Sequence, residues 1–370
     1  MKINEKTIGM GNPCYLIAEL SHNHQGEEIK ALELITRARD CGFDAVKFQK
    51  RNNSTLFMPE FYQAEYTSAN SFGKTYGEHR DFLEPKKGWL VECNAHAHRL
   101  GLDFIMTVFD QESLVFCEEH LKIDAYKIQS ADLTNIPLIQ AVAATGKPYF
   151  ISCGASSLNE IKEAYHCCLE QDTPFVLMYA ISSYPTPREN LNLSRIPFLK
   201  KALETEVIGY SCHFLTNEAS LLARTLGANV IERHFTLDKS QKGPDHKLSA
   251  TPDEISVLVG ELSRIDQSLG LTYHKPEEIE SYQLDSRYKM GKCAVAKHNL
   301  EVNDVLTESD VIYQSPAKGL TPLQLISYLN KPVKNRVKAG EVLTAACFQE
   351  QTTPVNQHSA QSNAPVAQST

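Results

Sequence analysis

Eight short β-branched, apolar runs alternate with amphipathic stretches through residue 270, which restricts the chain to α/β architectures built on a parallel sheet. The runs are YLIAE (15–19), DAVKFQ (44–49), LDFIMT (102–107), DAYKIQS (124–130), PYFISC (148–153), PFVLMYA (174–180), EVIGYS (206–211) and NVIERHF (229–235). Between them lie helical patterns such as EEIKALELITRARDC, where Ile29, Leu32, Ile35 and Ala38 share a face and Gly42 supplies the stop. Eight βα units of this length predict a TIM (β/α)8 barrel. An open doubly wound sheet is the competitor, but it usually carries a glycine-rich phosphate loop after its first strand, and none follows YLIAE.

The 370 residues exceed what one such barrel needs, so a smaller second module is expected. Residues 1–270 read as the barrel and 271–289 as a charged linker. Over 290–350, two turn-rich pieces, GKCAVAKHNLEVNDVLTESDVI and LNKPVKNRVKAGEVLTAACF, loosely repeat each other and predict a small pseudo-symmetric β-rich module. The tail 351–370 lacks apolar periodicity and reads as disordered. A net charge of −8 gives no basic footprint for nucleic acid or an anionic membrane, so small molecules are the expected partners. No apolar run approaches the length of a membrane span, and MKINEKTIGMGNP lacks the plan of a signal peptide, so a cytoplasmic location is expected. The ten cysteines are scattered and show no CxxC spacing, which predicts reduced, mostly buried thiols.

In a parallel barrel the strand C-termini converge on one face, where polar side chains become candidate site residues. The first strand ends in Glu19 and runs into Ser21, His22, Asn23 and His24. The second carries Lys47 and Gln49 on one face by alternation. The third ends in Thr107, and the fourth supplies Lys127 and Ser130 before Asp132. The fifth ends in Ser152, the sixth leads to Ser182 and Tyr184, and the seventh to Ser211 and His213. The eighth holds Glu232 and His234 ahead of a Gly-Pro-Asp-His loop containing Asp245. Singly, a serine here is more often a turn former or cap, and Asp132 could cap the helix that follows it. Together they are more polar cargo than a rim needs, because buried lysines are costly unless paired. Paired lysines with hydroxyls suit phosphate and carboxylate groups. His213 and His234, aided by Glu232 or not, suit a divalent ion with open positions, and Mn²⁺ or Mg²⁺ fits a mixed nitrogen and oxygen sphere at least as well as zinc. The segment 51–84 after the second strand is longer than usual βα loops; it folds over a substrate or is a surface excursion with helix of its own.

IAELSHNHQG, DAVKFQ, SFGKTYGEHRDFLE, AYKIQSADLTNIPLI, ISCGASS, SSYPTP, IGYSCH and ERHFTLDKSQKGPDHKLS occur in the order found in the sialic acid synthase family, which the chain resembles across residues 12–250. Residues 290–350 are similar to that family's C-terminal antifreeze-like (SAF) domain. The resemblance implies a metal-dependent condensation of phosphoenolpyruvate with N-acetylmannosamine or its 6-phosphate, giving N-acetylneuraminate or its 9-phosphate. It implies that His213 and His234 hold the metal, that Lys127, Ser130, Thr107, Ser152 and Ser211 cradle phosphate, and that Lys47 meets the carboxylate. Ser182 is counted with these substrate contacts. It further implies that Glu19, Gln49, Tyr184 and Asp245 contact the amino-sugar acceptor, that Glu19 and Asp132 serve the chemistry, and that the protein is a homodimer with exchanged capping domains.

The chain departs from the family pattern in places. Tyr313-Gln314-Ser315-Pro316-Ala317-Lys318-Gly319 stands where many bacterial members have Lys-Arg-Pro-Gly, and Lys318 could offset the missing arginine charge. Cys212 replaces a usual Asp, and Tyr179-Ala180 replaces His-Cys or Gln-Cys. Synthases for legionaminate or pseudaminate from diacetamido sugars remain alternatives, as does a Schiff-base aldolase using Lys47 or Lys127.

Overall fold

The computed structural model describes residues 1–270 and 279–348, so the expected disordered tail and residues 271–278 of the expected linker lie outside the described residues. The chain divides into two compact units, the first holding residues 1–270 and the second 279–348 of those described.

All eight expected strands form: β1 (Tyr15–Glu19), β2 (Ala45–Lys50), β3 (Asp103–Val108), β4 (Ala125–Ile128), β5 (Tyr149–Ser152), β6 (Phe175–Ala180), β7 (Gly209–Cys212) and β8 (Val230–His234). Each pairs in parallel with the next, and β8 pairs back with β1, closing the barrel. β7 begins three residues later than the apolar run suggests. Thr205 Oγ1 closes a local turn on Val207, accepting from its N–H at 3.3 Å and donating to its carbonyl at 3.1 Å, which keeps that residue out of the ladder.

Alternation by two stacks the barrel interior in layers. Towards the strand N-termini the layer is apolar, with Ile17, Ala45, Ile105, Ala125, Phe150, Val176 and Val230 in one cluster. A hairpin of Lys2–Ile3 and Lys6–Thr7 sends Ile3 and Ile8 into the same cluster and plugs that end. Two residues further along seven of the strands the side chains become Glu19, Lys47, Thr107, Lys127, Ser152, Ser211 and Glu232, all buried, whereas β6 keeps an apolar Met178 there. The strand register sets Glu19 beside Lys47, Thr107 beside Lys127, and Ser211 beside Glu232.

Helices pack on the outer face. In the helix Glu28–Cys41 the buried residues are Ala31, Leu34, Ile35, Ala38 and Cys41, whereas Ile29 is 80% exposed. The buried stripe is therefore rotated from the one read off Ile29, because the helix starts at Glu28 and Ile29 falls in its free first turn. Gly42 ends it at φ +92, a left-handed position suited to glycine.

The excursion after β2 folds into the helices Asn53–Leu56, Pro59–Gln63 and Tyr76–Leu83. A Thr75–Glu78 capping box starts the last of these, and the Phe61, Tyr66 and His79 rings pack around Tyr76. It thus has a core of its own, and it also returns Asn70 and Arg80 to the barrel mouth.

In the second unit, part of the segment read as linker is the helix Leu284–Met290. β9 (Cys293–Ala296) and β10 (Val311–Gln314) pair antiparallel. The two similar sequence pieces engage reciprocally: Leu300 N–H donates to the Val337 carbonyl at 2.8 Å, and Val337 N–H to that of Leu300 at 3.0 Å. The repeated Val-Leu-Thr pieces place Thr307 and Thr344 at equivalent caps of short 3₁₀ turns.

Candidate active site

The polar interior layer floors a cavity of about 480 Å³ at the C-terminal ends of the strands. Four buried charges make its floor. Lys47 Nζ lies 2.6 Å from Glu19 Oε2 and 3.5 Å from Glu232 Oε1, while Lys127 Nζ lies 2.6 Å from Glu232 Oε2. Lys47 also donates to Thr107 Oγ1 at 2.8 Å, and Ser211 Oγ donates to Glu232 at 3.2 Å. Burial alone would lower the Lys47 ammonium, but Glu19 and Glu232 outweigh it and hold the group above its ordinary value. Burial pulls Lys127 below its ordinary value against the attraction of Glu232. Glu232 resists burial because both ammonium groups face it, and its carboxyl stays well below the usual range. Two positive and two negative charges thus balance on the floor.

Two imidazoles stand together above this floor on neighbouring strands. The His213 and His234 ring centres are 5.4 Å apart, and the Tyr184 ring covers His213 at 4.0 Å. His213 Nδ1 lies 2.7 Å from the Ile181 carbonyl, which can only accept, so the ring proton sits on Nδ1 and Nε2 keeps a free lone pair. Burial, then the neighbouring His234, lowers His213 to about 4, leaving a neutral imidazole at pH 7. His234 Nδ1 is buried with no hydrogen-bond partner. Such an orphaned nitrogen beside a free imidazole lone pair fits a divalent cation. Among the described residues no third His, Cys, Asp or Glu completes a ligand cluster, so water and substrate oxygen would fill the remaining positions. Glu232, spent on the lysines, supports the floor.

Asp245 ties the loop after β8 to that after β1. Its Oδ2 accepts from Ser21 Oγ at 2.6 Å and lies 3.7 Å from His22 Nδ1 and 3.9 Å from His234 Nδ1. Burial would raise its carboxyl, but His22, His234 and Ser21 hold it well below the usual range. Gln49 donates to Glu19 Oε1 and to Ser21 Oγ, the latter at 3.1 Å.

Glu19, Lys47, Gln49, Thr107, Lys127, Ser130, Ser152, Tyr184, Ser211, His213, His234 and Asp245 all line this one cavity. Two expected residues do not. Asp132 accepts from Gln129 and Asn135 in the turn after β4, because the chain enters a 3₁₀ turn at Ser130 and carries the carboxylate off the cavity wall. Ser182 is exposed and lines a neighbouring cavity of about 680 Å³. Lys318 is exposed on the second unit. Arg51 and Arg80 line the cavity although the sequence reading passed over them. Lys47, Gln49 and Arg51 follow the same alternation by two, which could have revealed Arg51. Arg80 reaches the site only through the folding of the excursion.

On the face of β7 and β8 away from the cavity, Cys212 accepts from Arg233 Nη1 at 3.0 Å, and the same nitrogen donates to the Phe214 carbonyl at 2.6 Å. Cys212 therefore accepts from a buried arginine one residue before His213.

A (β/α)8 barrel carrying balanced buried charges and paired imidazoles at its strand ends, followed by a small β module, is the design of a two-domain barrel enzyme. The NeuB family model matches residues 34–274 and the SAF domain model residues 291–349. The N-acetylneuraminate-9-phosphate synthase of Homo sapiens is 32% identical over 337 residues, covering 91% of this chain and 93% of that protein. The N,N'-diacetyllegionaminic acid synthase of Campylobacter jejuni is 31% identical over 334 residues, covering 89% and 98% respectively. The crystal structure of the N-acetylneuraminic acid (sialic acid) synthetase of Leptospira borgpetersenii superposes with a TM-score of 0.68 at 32% identity, covering 77% of this chain and 94% of that one. The chain belongs to the NeuB family and is an enzyme of that family, as its sequence motifs imply. Among the described residues no helix is long and apolar enough to cross a membrane.

Proposed function

We propose that the enzyme condenses phosphoenolpyruvate with N-acetylmannosamine or its 6-phosphate, giving N-acetylneuraminate or its 9-phosphate and inorganic phosphate, with Mn²⁺ or Mg²⁺ as cofactor. The reading is supported by the synthases it resembles and, above all, by one juxtaposition: the Lys47, Lys127, Glu19 and Glu232 floor beside the His213 and His234 pair.

In this reading C3 of phosphoenolpyruvate bonds to the aldehyde carbon of the open-chain sugar, the aldehyde C=O π pair moves to its oxygen, and that oxygen takes up a proton equivalent to the one water releases at C2. Water oxygen bonds to C2, the C2–O bond to phosphorus-bearing oxygen breaks, and its electron pair leaves with phosphate. Lys47 meets the carboxylate, while Lys127 and the hydroxyls of Thr107, Ser130, Ser152 and Ser211 hold phosphate through charge-assisted and neutral hydrogen bonds. Glu19 accepts the proton of the attacking water, because its carboxylate lines the cavity whereas that of Asp132 lies off the cavity wall. Gln49, Tyr184 and Asp245 orient the acceptor, the Tyr184 ring excluding water over His213. Bound by His213 and His234, a divalent ion supplies Lewis acidity and positive charge that the balanced lysine floor lacks for a polyanionic substrate.

Phosphate release from phosphoenolpyruvate with Mn²⁺, measured against N-acetylmannosamine, its 6-phosphate and 2,4-diacetamido hexoses, tests the proposal. Turnover with either of the first two is expected. Exclusive turnover of a diacetamido sugar would move the enzyme to a related nonulosonate, and no turnover with any acceptor would overturn the synthase reading. A Schiff-base mechanism requires a free amine, which the 2.6 Å pairs at both lysines oppose; covalent trapping of pyruvate by borohydride would establish it instead. A homodimer belongs to the same reading, and sedimentation as a monomer at assay concentration would refute that part.

A further inference from the structure

Among the described residues Arg233 is the largest fully buried side chain, and it stands outside the cavity. Alternation along β8 turns it away from Glu232 and His234, onto the face of Ile231 and Phe235, which belong to the outer core. A guanidinium buried there is costly unless a carboxylate pairs with it. Among the described residues no ion pair reaches Arg233, and its Nε and Nη2 are buried with no hydrogen-bond partner. Glu254 is near enough to feel its charge but is held by Lys239 at 2.6 Å and by the Thr251 N–H at 2.9 Å. Stability therefore does not account for a guanidinium at this position.

What Arg233 does make is a two-sided grip on the end of β7. Its Nη1 donates to Cys212 Sγ at 3.0 Å and to the Phe214 carbonyl at 2.6 Å, the residues immediately before and after His213. Both hydrogens of one planar nitrogen are engaged, so the two acceptors are held in a fixed relation to each other. In the ladder Arg233 stands opposite Cys212, as Glu232 stands opposite Ser211, and one residue on come His234 and His213. The grip thus runs from the residue preceding one imidazole to the residues flanking the other. Towards β6, His213 is fixed by its Nδ1 contact with the Ile181 carbonyl at 2.7 Å and by the Thr186 N–H, which donates to the His213 carbonyl at 3.0 Å. Towards β8, past the last ladder pair, Arg233 supplies the tie.

We infer that Arg233 is a positioning residue: from the outer face of the barrel it holds the segment around His213 against β8 and so sets the 5.4 Å spacing of the two imidazoles. A site with only two protein ligands depends steeply on that spacing for its cation affinity. The inference rests on the reading of His213 and His234 as the cation pair. Charge and position predict opposite signs here. The guanidinium repels a nearby divalent ion, so deleting its charge alone would tighten cation binding, whereas losing the grip weakens it.

Mn²⁺ titration of the substrate-free protein, with free Mn²⁺ read by electron paramagnetic resonance, separates the two. Arg233→Met is expected to weaken Mn²⁺ binding about 10- to 100-fold. Arg233→Lys, whose ammonium can still donate to both Cys212 and Phe214, should stay within about 5-fold of the parent. The melting temperature of Arg233→Met should remain within about 4 °C of the parent's, because the charge and the two orphaned donors that are removed offset the two bonds lost. In a His213→Ala background Arg233→Met should cost no more than about 2-fold further, since it acts through that ring. Unchanged or tighter Mn²⁺ binding by Arg233→Met, a far larger fall in its melting temperature, or an equal loss in both backgrounds would overturn the inference and leave the cation reading intact. Parent binding that ignores His213→Ala would overturn that reading and the inference with it. Arg233→Gln, shorter and uncharged, gives the same test with the same expected direction if the methionine variant does not fold.

Discussion

Replacing Glu232 by Gln tests whether the cavity floor is a balanced charge cluster. The carboxylate lies 2.6 Å from Lys127 and 3.5 Å from Lys47, all three buried, and accepts from Ser211. The amide keeps the volume and one acceptor oxygen but removes the charge, leaving two buried ammonium groups to share Glu19. Removing one partner of a buried pair costs about 3–5 kcal/mol. At about 2–4 °C per kcal/mol for a domain of this size, the melting temperature should fall by roughly 6–20 °C. The floor of the variant has one excess positive charge, so an anion can replace the carboxylate. Inorganic phosphate at one hundred times its Kd should return about 2.7 kcal/mol, and the concentration needed should be lower for Glu232→Gln than for the unaltered protein. Differential scanning fluorimetry over a phosphate series reads both effects. The double variant Lys127→Met, Glu232→Gln removes both charges and should recover most of the lost stability. A Glu232→Gln protein as stable as the parent, or destabilised with no greater response to phosphate, would refute the reasoning.

His234→Ala should lower Mn²⁺-dependent phosphate release about 100-fold or more while preserving far-ultraviolet circular dichroism; an active variant would show that the imidazole pair holds no essential ion. His24, packed against Trp89 and Phe48, is lowered to about 3 by burial and by neighbouring His22. Its unfolded form takes up a proton first, so its contribution is complete above the ordinary value of 6.5 and is lost as pH falls towards 3. The loss runs at about 1.4 kcal/mol per pH unit, and His24→Asn should make the acid limb of a urea-denaturation series shallower by that slope. Of the ten free thiols only Cys14, Cys167 and Cys347 are not fully buried, so maleimide should label at most these in the native protein, and rapid labelling of Cys93 or Cys117, both pushed up to about 12 by burial, would contradict the packing. Gly209→Ala would drive a Cβ to 2.0 Å from Met178 Sδ in the barrel interior, costing about 1–3 kcal/mol by overpacking; an unchanged urea midpoint would show that Met178 moves aside freely.

The strands and the floor were legible because one periodicity encodes both. YLIAE and VIERH place Glu19 and Glu232 two residues, and His234 four residues, beyond the interior apolar Ile17 and Val230, so alternation alone assigns these side chains to the barrel axis. Asp132 breaks the inference because the strand has already ended: Gln129 and Asn135 capture the carboxylate locally, and motif position says nothing about direction once the backbone turns. Ile29 fails for a related reason, since helical periodicity gives the spacing of a buried stripe but leaves its phase to the neighbouring elements. Arg80 was not accessible to local reasoning at all. Its place at the mouth depends on the Thr75 cap, the aromatic packing around Tyr76 and the return of the excursion to the barrel.

Those nonlocal contacts give the loop after β8 a role that its own sequence conceals. One oxygen, Asp245 Oδ2, is within 3.9 Å of His234 Nδ1, within 3.7 Å of His22 Nδ1 and hydrogen-bonded to Ser21 at 2.6 Å. Its negative charge favours the Nδ1–H form of His22, and that tautomer turns an acceptor nitrogen towards Arg51 and Arg80. The same carboxylate therefore adjoins an imidazole of the candidate metal pair and orients the ring that gathers the arginines. Any displacement of Asp245 is therefore felt at both places, so this carboxylate couples the imidazole pair on β7 and β8 to the arginines brought to the mouth by the excursion after β2.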